Sequence, residues 1–202
     1  MGTKKTKTNS KSTTDTKSKT TQKEVKPNNN NHFQPGDLVV YPAHGVGRIE
    51  SIESKNIGDT REDFYIMKIL ETNMVIMIPV KNLNTIGIRD VIAKKEVSKI
   101  YQIIKDQVGD ASPVENQTWN RRYKEYMDKI KTGSLYEIAE VFRDLFLLKS
   151  TKDLSFGERK LLDTAQGLLV TELSIAKGAK ENSVISEIQS MFPQPQQHAV
   201  KS

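Results

Sequence analysis

The sequence predicts an α+β protein: a small Tudor/SH3-like antiparallel β-barrel followed by a compact bundle of about five α-helices. Three observations lead there. Five short apolar runs, separated by turn residues, fall between Gly36 and Ile88, the pattern of a small barrel. From Arg89 onward that pattern stops, and apolar residues recur at i, i+3, i+4 and i+7, the period of amphipathic helices. Ser134 with Glu137, and Ser155 with Glu158, have the spacing of helix capping boxes.

Residues 1–32 are lysine, threonine, serine and asparagine with almost nothing apolar. Such a segment cannot bury enough surface to offset its ordering entropy, so a disordered tail is expected. It reads either as a solubilising extension or as a weak, salt-sensitive tether to a polyanion. The β module spans residues 33–90. Gly36-Asp37 makes a turn into the strand Leu38-Val39-Val40-Tyr41. Pro42-Ala43-His44-Gly45-Val46-Gly47 is a second turn, with two glycines suited to positive φ. Arg48 to Ile52, Asp63 to Leu70, Met74 to Val80 and Thr85 to Ile88 supply the other strands, and Glu71-Thr72-Asn73 makes a tight hairpin before the fourth. That fourth strand, Met74-Val75-Ile76-Met77-Ile78-Pro79, is apolar on both faces, where a half-exposed strand alternates. Pro79 confines it to a sheet edge. An apolar edge is an aggregation hazard unless covered. Either the chain covers both of its sides, or one side is a docking surface.

The helical half spans residues 91–192. Val97, Ile100, Tyr101, Ile104 and Val108 mark a first helix stopped at Gly109. In the second, Trp119, Tyr123, Tyr126, Met127 and Ile130 share one face; Thr118 is placed to cap it and Gly133 to end it. Leu135, Ile138, Ala139, Phe142, Leu145 and Phe146 form the apolar side of a third. Leu161, Leu162, Ala165, Leu168, Leu169 and Leu173 carry a fourth to Gly178, and Val184, Ile185, Ile188 and Met191 a short fifth before Pro193. Residues 193–202 are expected to fray into a second disordered tail.

The second helix holds the only tryptophan. Trp119 stands in its first turn, with Arg121, Arg122 and Lys124 off the apolar face. One reading makes Trp119 a core residue and the cations a solvated face. The other turns this helix start towards a nucleic-acid backbone, with the indole free to pack on a base or sugar. Arg159 and Lys160 add to the second reading. They occupy the first turn of the fourth helix, where the helix dipole disfavours cations and free N–H groups favour a phosphate.

Charge and composition bound the rest. The net charge of +6 is carried by residues 1–32, where eight lysines face Asp15 and Glu24; residues 33–202 balance 23 cations against 23 anions. Nucleic-acid binding by the body therefore needs a local basic patch. There is no cysteine, which excludes disulfides, thiolate metal sites and cysteine nucleophiles. The three histidines, His32, His44 and His198, have no metal-binding spacing, and no cofactor or metal is expected. Gly45-Val46-Gly47 lacks the rest of a dinucleotide fingerprint. Glu62-Asp63 reads as surface, and no catalytic constellation is present. No run approaches the roughly 20 apolar residues of a membrane span, and the N-terminus lacks the apolar core of a secretory signal.

Four stretches together resemble the CarD/CdnL family of bacterial transcription regulators. They are Pro35 to Gly47, Met74 to Pro79, Thr118-Trp119-Asn120-Arg121-Arg122-Tyr123-Lys124, and Leu154-Ser155-Phe156-Gly157-Glu158-Arg159-Lys160. The first module is also similar to the polymerase-interacting domain of the transcription-repair coupling factor. The resemblance runs from about Phe33 to Phe192 and leaves out the lysine-rich leader. It implies a Tudor-like barrel docking on the β subunit of RNA polymerase through Lys55, Met74, Val75, Ile76, Met77, Ile78 and Pro79. Some members carry arginine where this chain has Met77, so an apolar contact is expected there. It implies a helical domain that contacts promoter DNA at the upstream edge of the transcription bubble and stabilises the open complex. Trp119 would enter the minor groove, and Arg121, Arg122, Lys124, Arg159 and Lys160 would meet phosphates. Met127 and Phe156 would line the same DNA-facing or inter-helix surface. A monomeric, cytoplasmic, nucleoid-associated bacterial protein is implied. Two other classes stay open on the residues: a KOW-like RNA- or ribosome-binding protein with its basic surface on the barrel, and a scaffold joining two proteins with Trp119 buried.

Overall fold

The computed structural model describes residues 33–106 and 118–192. Gly109 and both expected tails lie outside them. The sheet half contains β1 (Leu38–Tyr41), β2 (Gly45–Ile57), β3 (Thr60–Ile69), β4 (Val75–Pro79), a short helix α1 (Leu83–Ile86) and β5 (Arg89–Asp90). The strands form one antiparallel sheet in the order β4-β3-β2-β1-β5. The expected barrel is thus an open sheet, because no pairing joins its edge strands β4 and β5 among the described residues. A register shift between Ile49 and Ser51 bends β2, as a bulge does. Past Glu53 and Phe64, where the pairing of β3 with β4 ends, β2 and β3 continue as a two-stranded ribbon to the turn at Gly58.

Two details differ from the sequence reading. The run Thr85–Ile88 is not a strand: Leu83–Ile86 forms a helical turn, and Gly87 ends it in the left-handed conformation (φ 82°). The chain turns a corner after Pro79 and next pairs at Arg89–Asp90, with Val40 and Val39. The hairpin before β4 is as expected, with Asn73 taking the positive φ (57°) that asparagine tolerates. Phe33, Val39, Ile49, Tyr65, Met67, Ile69 and Ile78 pack the inner face of the sheet.

The helical half holds α2 (Val97–Lys105), α3 (Trp119–Thr132), α4 (Leu135–Thr151), α5 (Phe156–Lys177) and α6 (Glu181–Gln189). Their predicted apolar faces meet in one core, centred on fully buried Ile100, Ile104, Ile130, Leu135, Leu145 and Leu169. Gly133 and Gly178 end α3 and α5 in the left-handed conformation, which relieves the last carbonyls. Ser134 opens α4 without a side-chain cap bond; Glu137 accepts from the Thr132 hydroxyl instead.

The two halves are packed together. Val40, Val46 and Val91 of the sheet side form a small buried cluster with Ile175 and Ala176 of α5. Backbone approach is close here. A Cβ on Gly45 would stand 3.0 Å from Leu168, and one on Gly133 3.0 Å from Pro42.

Candidate nucleic-acid interface

Two helix starts meet on one side of the helical half. α3 begins at Trp119 after Thr118, whose carbonyl accepts from the Arg121 and Arg122 amides. The Thr118 hydroxyl makes no cap bond, unlike the expectation from its position. α5 begins at Phe156, and its capping box is complete. Ser155 Oγ accepts from the Glu158 amide at 3.3 Å, and the Glu158 carboxylate accepts from the Ser155 amide at 2.8 Å. Each helix start contributes free N–H groups and the positive end of a dipole.

Trp119 joins the two starts. Its indole lies against Gly157, where an added Cβ would come within 2.9 Å of Cζ2. Tyr123 stacks at a tilt with ring centroids 5.5 Å apart, and the Arg122 guanidinium sits 5.9 Å from the indole centroid, within cation–π range. Trp119 packs on the rim of the helical core and stays half-buried. Phe156, in contrast, is 77% exposed and Tyr123 44%. Trp119 and Tyr123 thus form one aromatic pair seated on the α5 start, whose first residue, Phe156, is itself exposed.

The predicted cations divide into two kinds. Lys124, Arg159 and Lys160 are exposed and make no ion pair among the described residues. Arg121 is exposed and, among the described residues, paired only with Glu125, one turn along α3, at 3.1 Å. Arg122 is different: its side chain is 11% exposed and donates to Glu158 at 3.2 Å, and its buried Nε has no partner among the described residues. Its charge is engaged inside the site. Met127 also turns inward, onto the helical core.

Glu158 is the hub beneath the patch. It is 2% exposed, so its charge needs partners. Besides Ser155 and Arg122 it accepts from Lys152 Nζ at 3.0 Å. Burial alone would raise this carboxyl, but the Ser155 amide, Lys152 and the Ser155 hydroxyl outweigh it and hold it below the usual range. A depressed folded pKa contributes stability that is present above the unfolded value, about pH 4.3, and is lost as pH falls through the folded one. Glu158→Gln should therefore lower the melting temperature at neutral pH and flatten its decline as pH falls below the ordinary glutamate value of about 4.3. An unchanged acid limb in thermal melts would show that Glu158 does not act as this hub.

The second predicted surface lies on the sheet. β4 pairs with β3 alone, so its other edge is free among the described residues. Its side chains alternate: Ile78 is buried and Ile76 half-buried on the sheet core, while Val75 and Met77 are 63% and 48% exposed. Met74, before the strand, is 40% exposed, and Pro79 is half-buried. Ile66 of β3 lies opposite Met77 and extends the apolar face. Lys55 stands on the projecting ribbon, 3.5 Å from Glu53.

Comparison with known proteins accounts for both halves. The CarD-like/TRCF RID domain profile matches residues 33–92, and the CarD, C-terminal domain profile matches residues 99–189. The chain belongs to the CarD family. A relative in Bacillus subtilis (strain 168), YdeB, named as a candidate transcription factor, is 39% identical over 157 residues, covering 76% of this chain and 98% of its own. A solved structure, CdnLNt from Myxococcus xanthus, is 41% identical and covers 30% of this chain and 86% of that one, with a TM-score of 0.27.

As a CarD-family protein this chain is a transcription regulator, and the family is not an enzyme class. No described helix is long and apolar enough to cross a membrane. Among the described residues no cluster of His, Cys, Asp or Glu can hold a metal. Sequence reasoning missed Glu158 as a hub, Gly157 as the seat of the indole, and Tyr123 as an exposed aromatic. The capping-box spacing pointed to Glu158, but nothing in the spacing brought Arg122 to it.

Proposed function

We propose that this CarD-family protein docks on the RNA polymerase β subunit through the free edge and outer face of β4, and stabilises promoter open complexes with the aromatic and cationic patch around Trp119. The observation that carries the reading is the meeting of the α3 and α5 starts. It seats the indole on Gly157 in contact with Tyr123, and the same two helix starts carry exposed Phe156, Lys124, Arg159 and Lys160. Cations and helix starts suit phosphates. Apolar rings suit an opened base step in the minor groove, where proteins wedge such groups. Arg121 joins the phosphate contacts, since an exposed pair with Glu125 is weak and readily exchanged. Arg122 instead holds Trp119 and α5 in register. The body is electrically balanced, so tethering to polymerase supplies the effective concentration that DNA binding lacks. On this reading the protein works as a monomer at promoters within the nucleoid.

The edge of β4 suits strand addition by a partner, in which backbone hydrogen bonds give affinity and alternate side chains give specificity. Val75, Met77 and Ile66 then meet apolar side chains, and Lys55 reaches a polar rim. A KOW-like RNA binder would carry its basic surface on the sheet. The projecting ribbon is instead mixed in sign, with Glu53, Lys55, Arg61, Glu62 and Asp63, while the unpaired cations named above lie on the helices.

The direct test is the lifetime of an open complex on a ribosomal RNA promoter with and without the protein. No change in lifetime, with polymerase bound, would remove the DNA role. Gly157→Ala is a sharper probe, because it deletes no group. The new methyl meets Cζ2 at 2.9 Å, closer than carbon atoms pack, so the indole must shift. The lifetime gain should fall although every aromatic and cation remains. A full gain in Gly157→Ala would mean that the seat of Trp119 is irrelevant.

A further inference from the structure

We propose that Arg89 is a positioning residue that fixes the angle between the docking edge and the aromatic patch, an inference that rests on the reading above. Arg89 belongs to β5, paired to β1 of the sheet half, yet its guanidinium is engaged with the helical half. Nε and Nη2 donate to the Gly133 carbonyl, and Nη1 and Nη2 donate to the two Glu172 oxygens at 2.6 and 2.9 Å. Nη1 also donates to the Asp90 carbonyl at 2.9 Å. Glu172 takes a further bond from the Ile92 amide at 3.1 Å and is 2% exposed.

The two acceptors identify what is being held. Gly133 is the left-handed cap that ends α3, and Glu172 lies near the end of α5. These are the two helices whose opposite ends carry Trp119 and Phe156. At 1.5 Å per residue the 14 residues of α3 set the indole about 21 Å from the clamp. A rotation of about 10° there moves the helix start by about 4 Å over that length, enough to miss a base step. The contacts between the halves described above, Val40, Val46 and Val91 on Ile175 and Ala176, Gly45 against Leu168 and Pro42 against Gly133, are apolar. Apolar burial is non-directional and tolerates sliding, whereas four hydrogen bonds to the helical half from one rigid, planar fork do not. Lysine is no substitute, since its compact ammonium offers three donors and cannot span both acceptors and the Asp90 carbonyl.

The chain has no cysteine, so spin labels at Thr85→Cys in the sheet half and Asn120→Cys beside the patch report the angle directly. Both positions are exposed. Pulsed electron resonance should give a narrow distance distribution with Arg89 present and a broadened or displaced one in Arg89→Ala. Arg89→Lys keeps a charge for Glu172 and is the variant that decides if Arg89→Ala does not fold. It should melt near the parent temperature and bind polymerase normally, yet show the broadened distribution and most of the loss in open-complex lifetime. An Arg89→Lys protein with the parent distance distribution overturns the proposal. If the parent protein itself does not prolong open complexes, the DNA reading fails, while the distance measurement still decides whether Arg89 sets the angle.

Discussion

Replacing Trp119 with alanine should shorten open-complex lifetime by roughly ten- to a hundredfold, while the protein stays folded and still binds polymerase. The magnitude follows from what an indole does at an opened base step. Unstacking costs about a few kcal/mol, and an aromatic side chain that fills the step returns part of it. A loss of about 1.4–2.8 kcal/mol is one to two powers of ten in a rate or equilibrium. Stability should change less than for a core aromatic, where truncation costs about 3–5 kcal/mol. Trp119 is half-buried at the rim and rests on Gly157 and Tyr123. A cost of about 1–2 kcal/mol is expected, within the usual range for single substitutions. The effect should be specific to the open state, because a ligand shifts an equilibrium only through differential contact with its two states. A thermal melt beside a promoter-complex dissociation assay on the same variant separates the cases. A large fall in melting temperature together with lost polymerase binding would mean that Trp119 is a core residue.

The helices were the most legible part of the sequence. Their apolar period is long, and two of the five expected in this half end at the glycine that the sequence offers, Gly133 and Gly178, while α6 stops at Gln189, short of Pro193. Strand ends were less legible, because pairing rather than local preference fixes them. Leu83–Ile86 shows this: its residues suit a strand, but the corner between β4 and β5 requires a helical turn closed by Gly87. Barrel closure could not be read at all, since it depends on whether two edges separated by the whole sheet meet.

At the candidate site, residue types were legible and their division of labour was not. Arg121, Arg122 and Lys124 are equivalent as letters. Only the packing of α3 on α5 makes Arg122 the partner of Glu158 and leaves Lys124 in solvent. Glu172 is the same case. Mid-helix glutamates are common and exposed, and nothing nearby in the sequence signals an arginine 83 positions earlier. A buried charge earns its place through partners distant in sequence, so such pairs are visible only in the fold.

On the sheet, Val75→Glu with Met77→Glu should abolish polymerase binding without unfolding the protein. The alternation along β4 chooses these two residues. Ile76 and Ile78 face the sheet core, so acidic residues there would destabilise the fold itself and confuse the readout. Val75 and Met77 face outward and are 63% and 48% exposed, so in the free protein the new carboxylates stay in water at little cost. Docking changes their surroundings. A contact that covers this face removes the carboxylates from water with no cation opposite, a penalty of about 3–5 kcal/mol for an uncompensated buried charge. Even the lower figure weakens binding by more than about a hundredfold. Repulsion between neighbouring carboxylates on one face adds to it. Because tethering supplies the DNA contact with its effective concentration, the double variant should also lose its effect on open-complex lifetime, although Trp119 and the cations are untouched. The expected result is a protein with near-normal melting behaviour that neither captures polymerase nor prolongs open complexes. Retained binding would move the docking surface away from β4, to the projecting ribbon or to another face of the sheet.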